Sequence, residues 1–227
     1  MFLDPTFVLL IPAIILAIWA QNKVNSSFSR YSKVKSSFGM TGSELARHLL
    51  DSAGLYNIKI ENIKGKLTDH YDPKKKVVRL SESTRNNLSV AALGVVAHEI
   101  GHVIQDKKNY TPLVIRNAFA PVANIGSGLS WIIFIIGFLF WSPILVRLGI
   151  ILFSLVVLFT LITLPVEYNA SNLAKRMLTR LGMPKKEVVA VNNVLSAAAL
   201  TYVASTLMAA LQLMRMIFLS GFIGGDS

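Results

Sequence analysis

Apolar residues fall along this chain in four long, charge-poor blocks, set apart by segments in which apolar and polar positions interleave at shorter periods. The first block runs from about 6 to 20 and is extended by Phe2 and Leu3, which leaves it short for a full span. No charged residue occurs in 117–146 or in 148–166, and Arg147 is the lone charge between them. A fourth charge-free stretch, 188–214, is rich in Ala, Ser and Thr, small side chains that let helices approach closely in lipid. Gln212 and Arg215 blur its outer end. Runs of this length match a hydrocarbon core about 30 Å thick at about 1.5 Å rise per residue. Trp141-Ser142-Pro143 supplies an interfacial aromatic and a turn between the two central blocks. The pattern therefore predicts a helical hairpin, roughly 119–141 and 144–164, with Arg147 reaching the far interface.

The polar segments carry other periods. Thr41 or Ser43 caps a predicted helix through Leu50, which Gly54 ends. Ile58, Ile60 and Ile63 alternate as in a strand, Asp69 to Pro73 reads as a turn, and Lys76 to Leu80 reads as a second strand. A further helix opens at Ser89, with Val90, Leu93, Val96 and Ile100 on one apolar face, and the polar run Gln105 to Asn109 ends its pattern. There is no internal repeat and no low-complexity tract.

Composition turns these blocks into membrane spans. The chain is 53% hydrophobic and only 15% charged, with a mean hydropathy of +0.53, beyond the range of an ordinary soluble domain. The net charge of +11 does not point to nucleic acid, because the basic residues flank apolar segments and no aromatic-basic interleaving or nucleic-acid motif accompanies them. All but two of the 23 Lys and Arg lie in 21–116 and 167–187, on one side of the membrane if the hairpin forms; Arg147 and Arg215 are the exceptions. The positive-inside rule makes that side cytoplasmic and puts both termini outside. Asp4 before the first block and Lys23, Arg30, Lys33 and Lys35 after it fit an uncleaved anchor better than a signal peptide. With no cysteine in the chain, a metal must be held by histidine and carboxylate.

The chemistry is concentrated in His98-Glu99-Ile100-Gly101-His102. Residues four apart lie one above the other on a helix, so both imidazoles can bind one zinc ion at about 2.0–2.1 Å each. Glu99 stands beside the metal, where it can take a proton from a zinc-activated water and pass it to a leaving amine. Gly101 costs a helix about 1 kcal/mol relative to alanine, which suggests close packing at this point. A catalytic zinc takes three protein ligands and keeps one open position. The hairpin returns the chain to its starting side, and the first acidic residue after the return is Glu167, which offers itself as the third ligand. An acidic residue there could also cap the helix that follows, and the two roles are compatible.

The segments LTDHYDP at 67–73, AHEIGHVIQ at 97–105 and LPVEYNAS at 164–171 resemble the bacterial membrane zinc metallopeptidases of the YugP type. These are similar to gluzincins, in which a glutamate downstream of HExxH completes the zinc site. The resemblance implies one catalytic Zn2+ held by His98, His102 and Glu167, with Glu99 as general base. It implies a membrane-bound zinc metalloendopeptidase: an α-helical membrane protein of about four spans with a small α+β, zincin-like domain. The corresponding divisions are an anchor at 1–22, a cytoplasmic metallopeptidase region at 23–116, a hairpin at 117–166, a cytoplasmic helix with the third ligand at 167–187, and a last span and tail at 188–227. In the wider group, with the HtpX and CAAX-prenyl protease types, an acidic residue four positions after the glutamate orients a histidine. Here that position is Ser171, with Asn169 and Asn172 nearby, and which of them serves is open.

The expected partners are the bilayer and a peptide, an unfolded protein or a membrane-protein substrate, with no nucleic acid. The alternative is a non-catalytic zinc-binding membrane adaptor or chaperone, against which an intact Glu99 argues. A channel or carrier would place ionisable groups inside its spans. Among lesser candidates, His70 and Tyr71 could stabilise an oxyanion or simply build a turn, and His48 reads as a surface residue. The strand 76–80 could accept an extended substrate if it is an edge. The basic stretch from Lys175-Arg176 to Lys185-Lys186 reads as a contact for anionic headgroups.

Overall fold

A computed structural model of the chain describes residues 5–222, so the expectations placed on Phe2, Leu3 and Asp4 lie outside the described residues. A 3-10 helix, Pro5–Leu10, leads into α1 (Ile11–Tyr31). There follow α2 (Gly42–Ser52), β1 (Lys59–Ile63), β2 (His70–Asp72), β3 (Val77–Ser81), α3 (Glu82–Arg85) and α4 (Val90–Lys107). Three long helices follow in the described residues: α5 (Thr111–Leu139), α6 (Pro143–Arg180) and α7 (Lys185–Ser220). The chain divides into two compact units, one holding the described part of Met1–Ala20, Thr111–Pro165 and Leu200–Ser227, the other Gln21–Tyr110 and Val166–Ala199.

The second unit is a small α+β domain. Thr41 caps α2 in a reciprocal box: the Glu44 N–H donates to Thr41 Oγ1 at 3.3 Å, and the Thr41 N–H donates to Glu44 at 2.7 Å. Gly54, at φ +66°, ends the helix as its pattern predicts. The sheet runs β1-β3-β2, with β1 parallel and β2 antiparallel to β3. Two expectations are corrected here. The strand expected at 76–80 is β3, the central strand, and both its edges are already paired, so it cannot take an extended peptide by edge addition. The segment 69–73, read as a turn, holds β2, because His70 to Asp72 pair with β3. The reversal comes afterwards, where Asp72 Oδ1 accepts from the N–H groups of Lys74 and Lys75 at 3.1 Å.

Val78 and Leu80 turn inward from the sheet and join Leu45, Leu50, Leu93, Ile100, Leu178 and Val191 in one core. At about 25 cal/mol per Å² of apolar surface, burial of this kind is what holds the sheet and the helices together. Ser89 caps α4 by accepting from the Ala92 N–H at 3.2 Å. The helix continues through Gln105 to Lys107, three residues into the run expected to end it.

The first unit is helical, and its surface is apolar. Ile15, Ile18, Trp19, Ile125, Ile132, Ile144, Ile151 and Leu161 are all exposed, a surface suited to lipid rather than water. Among the described residues, four helical segments are long and apolar enough to cross a membrane: Pro5–Tyr31, Thr111–Leu139, Pro143–Arg180 and Lys185–Ser220. The central pair forms a hairpin. A Cβ on Gly137 would stand 2.6 Å from the Val146 nitrogen, and one on Gly149 would stand 2.9 Å from the Ser130 carbonyl, so glycine permits the close approach. Arg215 is buried in this unit, with Nε donating to Thr6 Oγ1 at 3.1 Å and the guanidinium 5.8 Å from the Phe7 ring centre. That pairing lets α7 run on through Arg215 to Ser220.

Candidate metal centre

The α+β unit gathers His98 and His102 from α4 and Glu167 from α6, residues up to 69 positions apart. Their ligand atoms all lie within 4.8 Å of one another, and the imidazole rings meet edge to face at 4.8 Å and 89°. His98 Nε2 is 3.2 Å and His102 Nε2 is 3.7 Å from the same oxygen, Glu167 Oε2. The approach depends on Gly101: a Cβ there would meet the Ala170 carbonyl oxygen at 2.7 Å and its Cα at 3.1 Å. With glycine at this crossing, the backbone of α6 lies directly on α4 and carries Glu167 and Ser171 to the histidines.

The outer nitrogens are occupied by protein. Ser171 Oγ lies 3.2 Å from His98 Nδ1, and Gln105 Oε1 lies 2.9 Å from His102 Nδ1. Ser171 is thus the neighbour of His98, while Asn169 meets Gln105 Nε2 at 3.0 Å and Asn172 is exposed. Burial alone would lower the basicity of His102, but its hydrogen bond to Glu167 and the charges of Glu99 and Glu167 outweigh this and raise it. Glu99 is buried, and among the described residues its carboxylate has no hydrogen-bond or ion-pair partner. Its burial raises its pKa, against the opposing pull of His98 and His102.

The donor set suits zinc. Two imidazole nitrogens and one carboxylate oxygen are hard-to-borderline ligands, and no thiolate is present. Ligands about 2.0–2.1 Å from a tetrahedral centre stand about 3.3–3.4 Å from each other. The two nitrogen–oxygen distances, 3.2 and 3.7 Å, bracket that spacing.

The lesser candidates have other partners. The Tyr71 hydroxyl donates to Asp106 at 2.6 Å, and burial with that bond raises its pKa. His70 is held by the Thr68 carbonyl at 2.9 Å and by Arg79 at 3.2 Å, and His48 is exposed. Asp69 accepts from the Ser81 N–H and hydroxyl, each at 2.8 Å, and from Thr84, which ties the start of β2 to the end of β3. The residue that sequence reasoning passed over is Gln105, read only as the polar end of an apolar pattern. Its position three residues after His102, on the same helical face, was the available signal.

Fold and cluster together define a class: a membrane-spanning helical protein whose small α+β unit carries a candidate zinc centre. The chain belongs to the family described as “Putative neutral zinc metallopeptidase”, whose profile matches residues 6–221. It is 50% identical over 216 residues to “Putative membrane protease YugP” of Bacillus subtilis (strain 168), covering 94% of this chain and 96% of that protein. No solved structure matches it.

Proposed function

We propose that this chain is a membrane-bound zinc metalloendopeptidase with His98, His102 and Glu167 as metal ligands and Glu99 as general base. The observation that carries the reading is the convergence of three buried or half-buried donors beside a buried carboxylate that has no hydrogen-bond or ion-pair partner among the described residues. Zinc held there supplies Lewis-acid polarisation of the scissile carbonyl and acidifies the attacking water. The protein does the rest. Glu99, beside the metal ligands and buried, can accept a proton from the water and deliver it to the leaving nitrogen. Ser171 and Gln105 hold the imidazoles in place from behind. An extended substrate would lie along an edge of the sheet, and β2 is the edge that packs beside α4.

The substrates proposed are short peptides, misfolded membrane proteins or flexible segments near the bilayer. The distribution of Lys and Arg supports a cytoplasmic location for the α+β unit. The test is metal content together with cleavage of an unfolded protein in detergent. The wild type is expected to carry one zinc and cleave. Glu99→Gln is expected to keep the zinc and cleave about 10²–10⁴-fold more slowly, and Glu167→Ala to lose the metal. Full zinc occupancy in Glu167→Ala would remove it from the ligand set, and a zinc-loaded wild type that cleaves nothing would favour an adaptor.

A further inference from the structure

We infer that Gln105 is a positioning residue that sets the tautomer of His102 and fastens it to the backbone beside Glu167, making the two histidines of the cluster unequal. The inference rests on the metal-site reading above and concerns how that site is prepared. Gln105 is 1% exposed, so every polar atom of its amide needs a partner. Nε2 donates to the Val166 carbonyl at 2.8 Å and to Asn169 Oδ1 at 3.0 Å, and Oε1 faces His102 Nδ1 at 2.9 Å.

The direction of these bonds follows from one atom. A backbone carbonyl can only accept, so the amide nitrogen must be the end that faces Val166. The amide oxygen is then left against His102 and can only accept in turn. Nδ1 of His102 must therefore carry a proton, and on the neutral ring the lone pair stands on Nε2, the nitrogen turned towards Glu167. Turning the amide over would set two oxygens against each other at the Val166 carbonyl. His98 has no such constraint: its Nδ1 faces the Ser171 hydroxyl, which can donate or accept. One ring is fixed in its metal-binding form by the protein, and the other is free to choose.

The same side chain links the two elements that bear the ligands. Gln105 sits three residues after His102 on α4 and bonds the residue immediately before Glu167 on α6. It thus holds the histidine in register with the stretch that positions the glutamate.

The experiment uses the full chain in detergent and measures zinc affinity by chelator competition for wild type and Gln105→Met. Methionine keeps most of the volume and removes the acceptor. Gln105→Met is expected to bind zinc about 10–100-fold more weakly. In zinc-loaded protein labelled with 15N-histidine, a slowly exchanging His102 Nδ1–H is expected in wild type and absent in Gln105→Met. Wild-type zinc affinity in Gln105→Met overturns the inference, as does a His102 Nδ1–H that exchanges equally slowly in both proteins, since packing alone would then explain the residue. A wild type that takes up no zinc overturns the metal-site reading itself, and is recognised because both proteins then lack the metal.

Discussion

Glu99 has two competing demands on it. The proposed role of proton acceptor calls for a carboxylate, yet the burial that raises its pKa opposes charging the group in the folded state. The folded protein holds this proton to higher pH than the unfolded chain, whose reference value is 4.5. Above that value the unfolded state binds fewer protons at this residue, so the contribution of Glu99 to stability falls as pH rises, until the folded-state carboxyl has also ionised. Replacement by a neutral isostere removes the penalty. In metal-free protein, thermal melts of Glu99→Gln and wild type should coincide near pH 4, and the variant should become progressively the more stable towards pH 8. Equal melting curves across that range would show that the carboxylate is not desolvated.

At the scale of elements, the contact between α4 and α6 governs whether there is a site at all. Alanine would favour the helix at position 101 by about 1 kcal/mol. The Ala170 backbone it would strike cannot rotate away as a side chain could, and overpacking of this kind costs about 1–3 kcal/mol. The clash should win. Gly101→Ala is expected to lower the melting temperature by several degrees and to weaken zinc binding at least about tenfold, because Ala170 lies between Glu167 and Ser171. A variant with better stability and unchanged zinc affinity would place α6 farther from α4 than described. The small sheet is tied by Arg79 on β3, which reaches Glu61 on β1 at 3.2 Å and Asp72 on β2 at 3.1 Å. Those pairs are part-exposed, so the strands depend mainly on the burial of Val78 and Leu80.

At the scale of the whole molecule, the distribution of positive charge predicts which side of the membrane holds each segment. The chain has no cysteine, so single cysteines can report this without a background. A thiol reagent that cannot cross the membrane should label Ser142→Cys, in the hairpin turn, in intact cells. Lys64→Cys, between β1 and β2, should react only after the cells are opened. The reverse pattern would invert the proposed orientation and place the candidate metal centre outside.

The spans were legible in the residues alone because lipid imposes a local condition: a helix facing hydrocarbon must be apolar along its own length, and 117–166 with one charge meets it. The pairing of His98 with His102 was legible for a similar reason, since a four-residue spacing sets a shared face within one helix. Glu167 could be nominated only because a hairpin returns the chain to its starting side. Strand order was not legible. Whether 76–80 is an edge or the centre depends on β1 and β2 pairing across intervening chain, a long-range contact that alternation does not encode. The role of Gln105 was not legible for the same physical reason. Nothing within one helix shows whether a polar residue near the end of an apolar pattern is buried, and only α6, lying against Gly101, buries it and gives it both the Val166 carbonyl and a histidine to align. What acts within one element was written in the chain locally. What depends on two elements meeting was decided by the tertiary structure, because burial belongs to the contact and not to either partner.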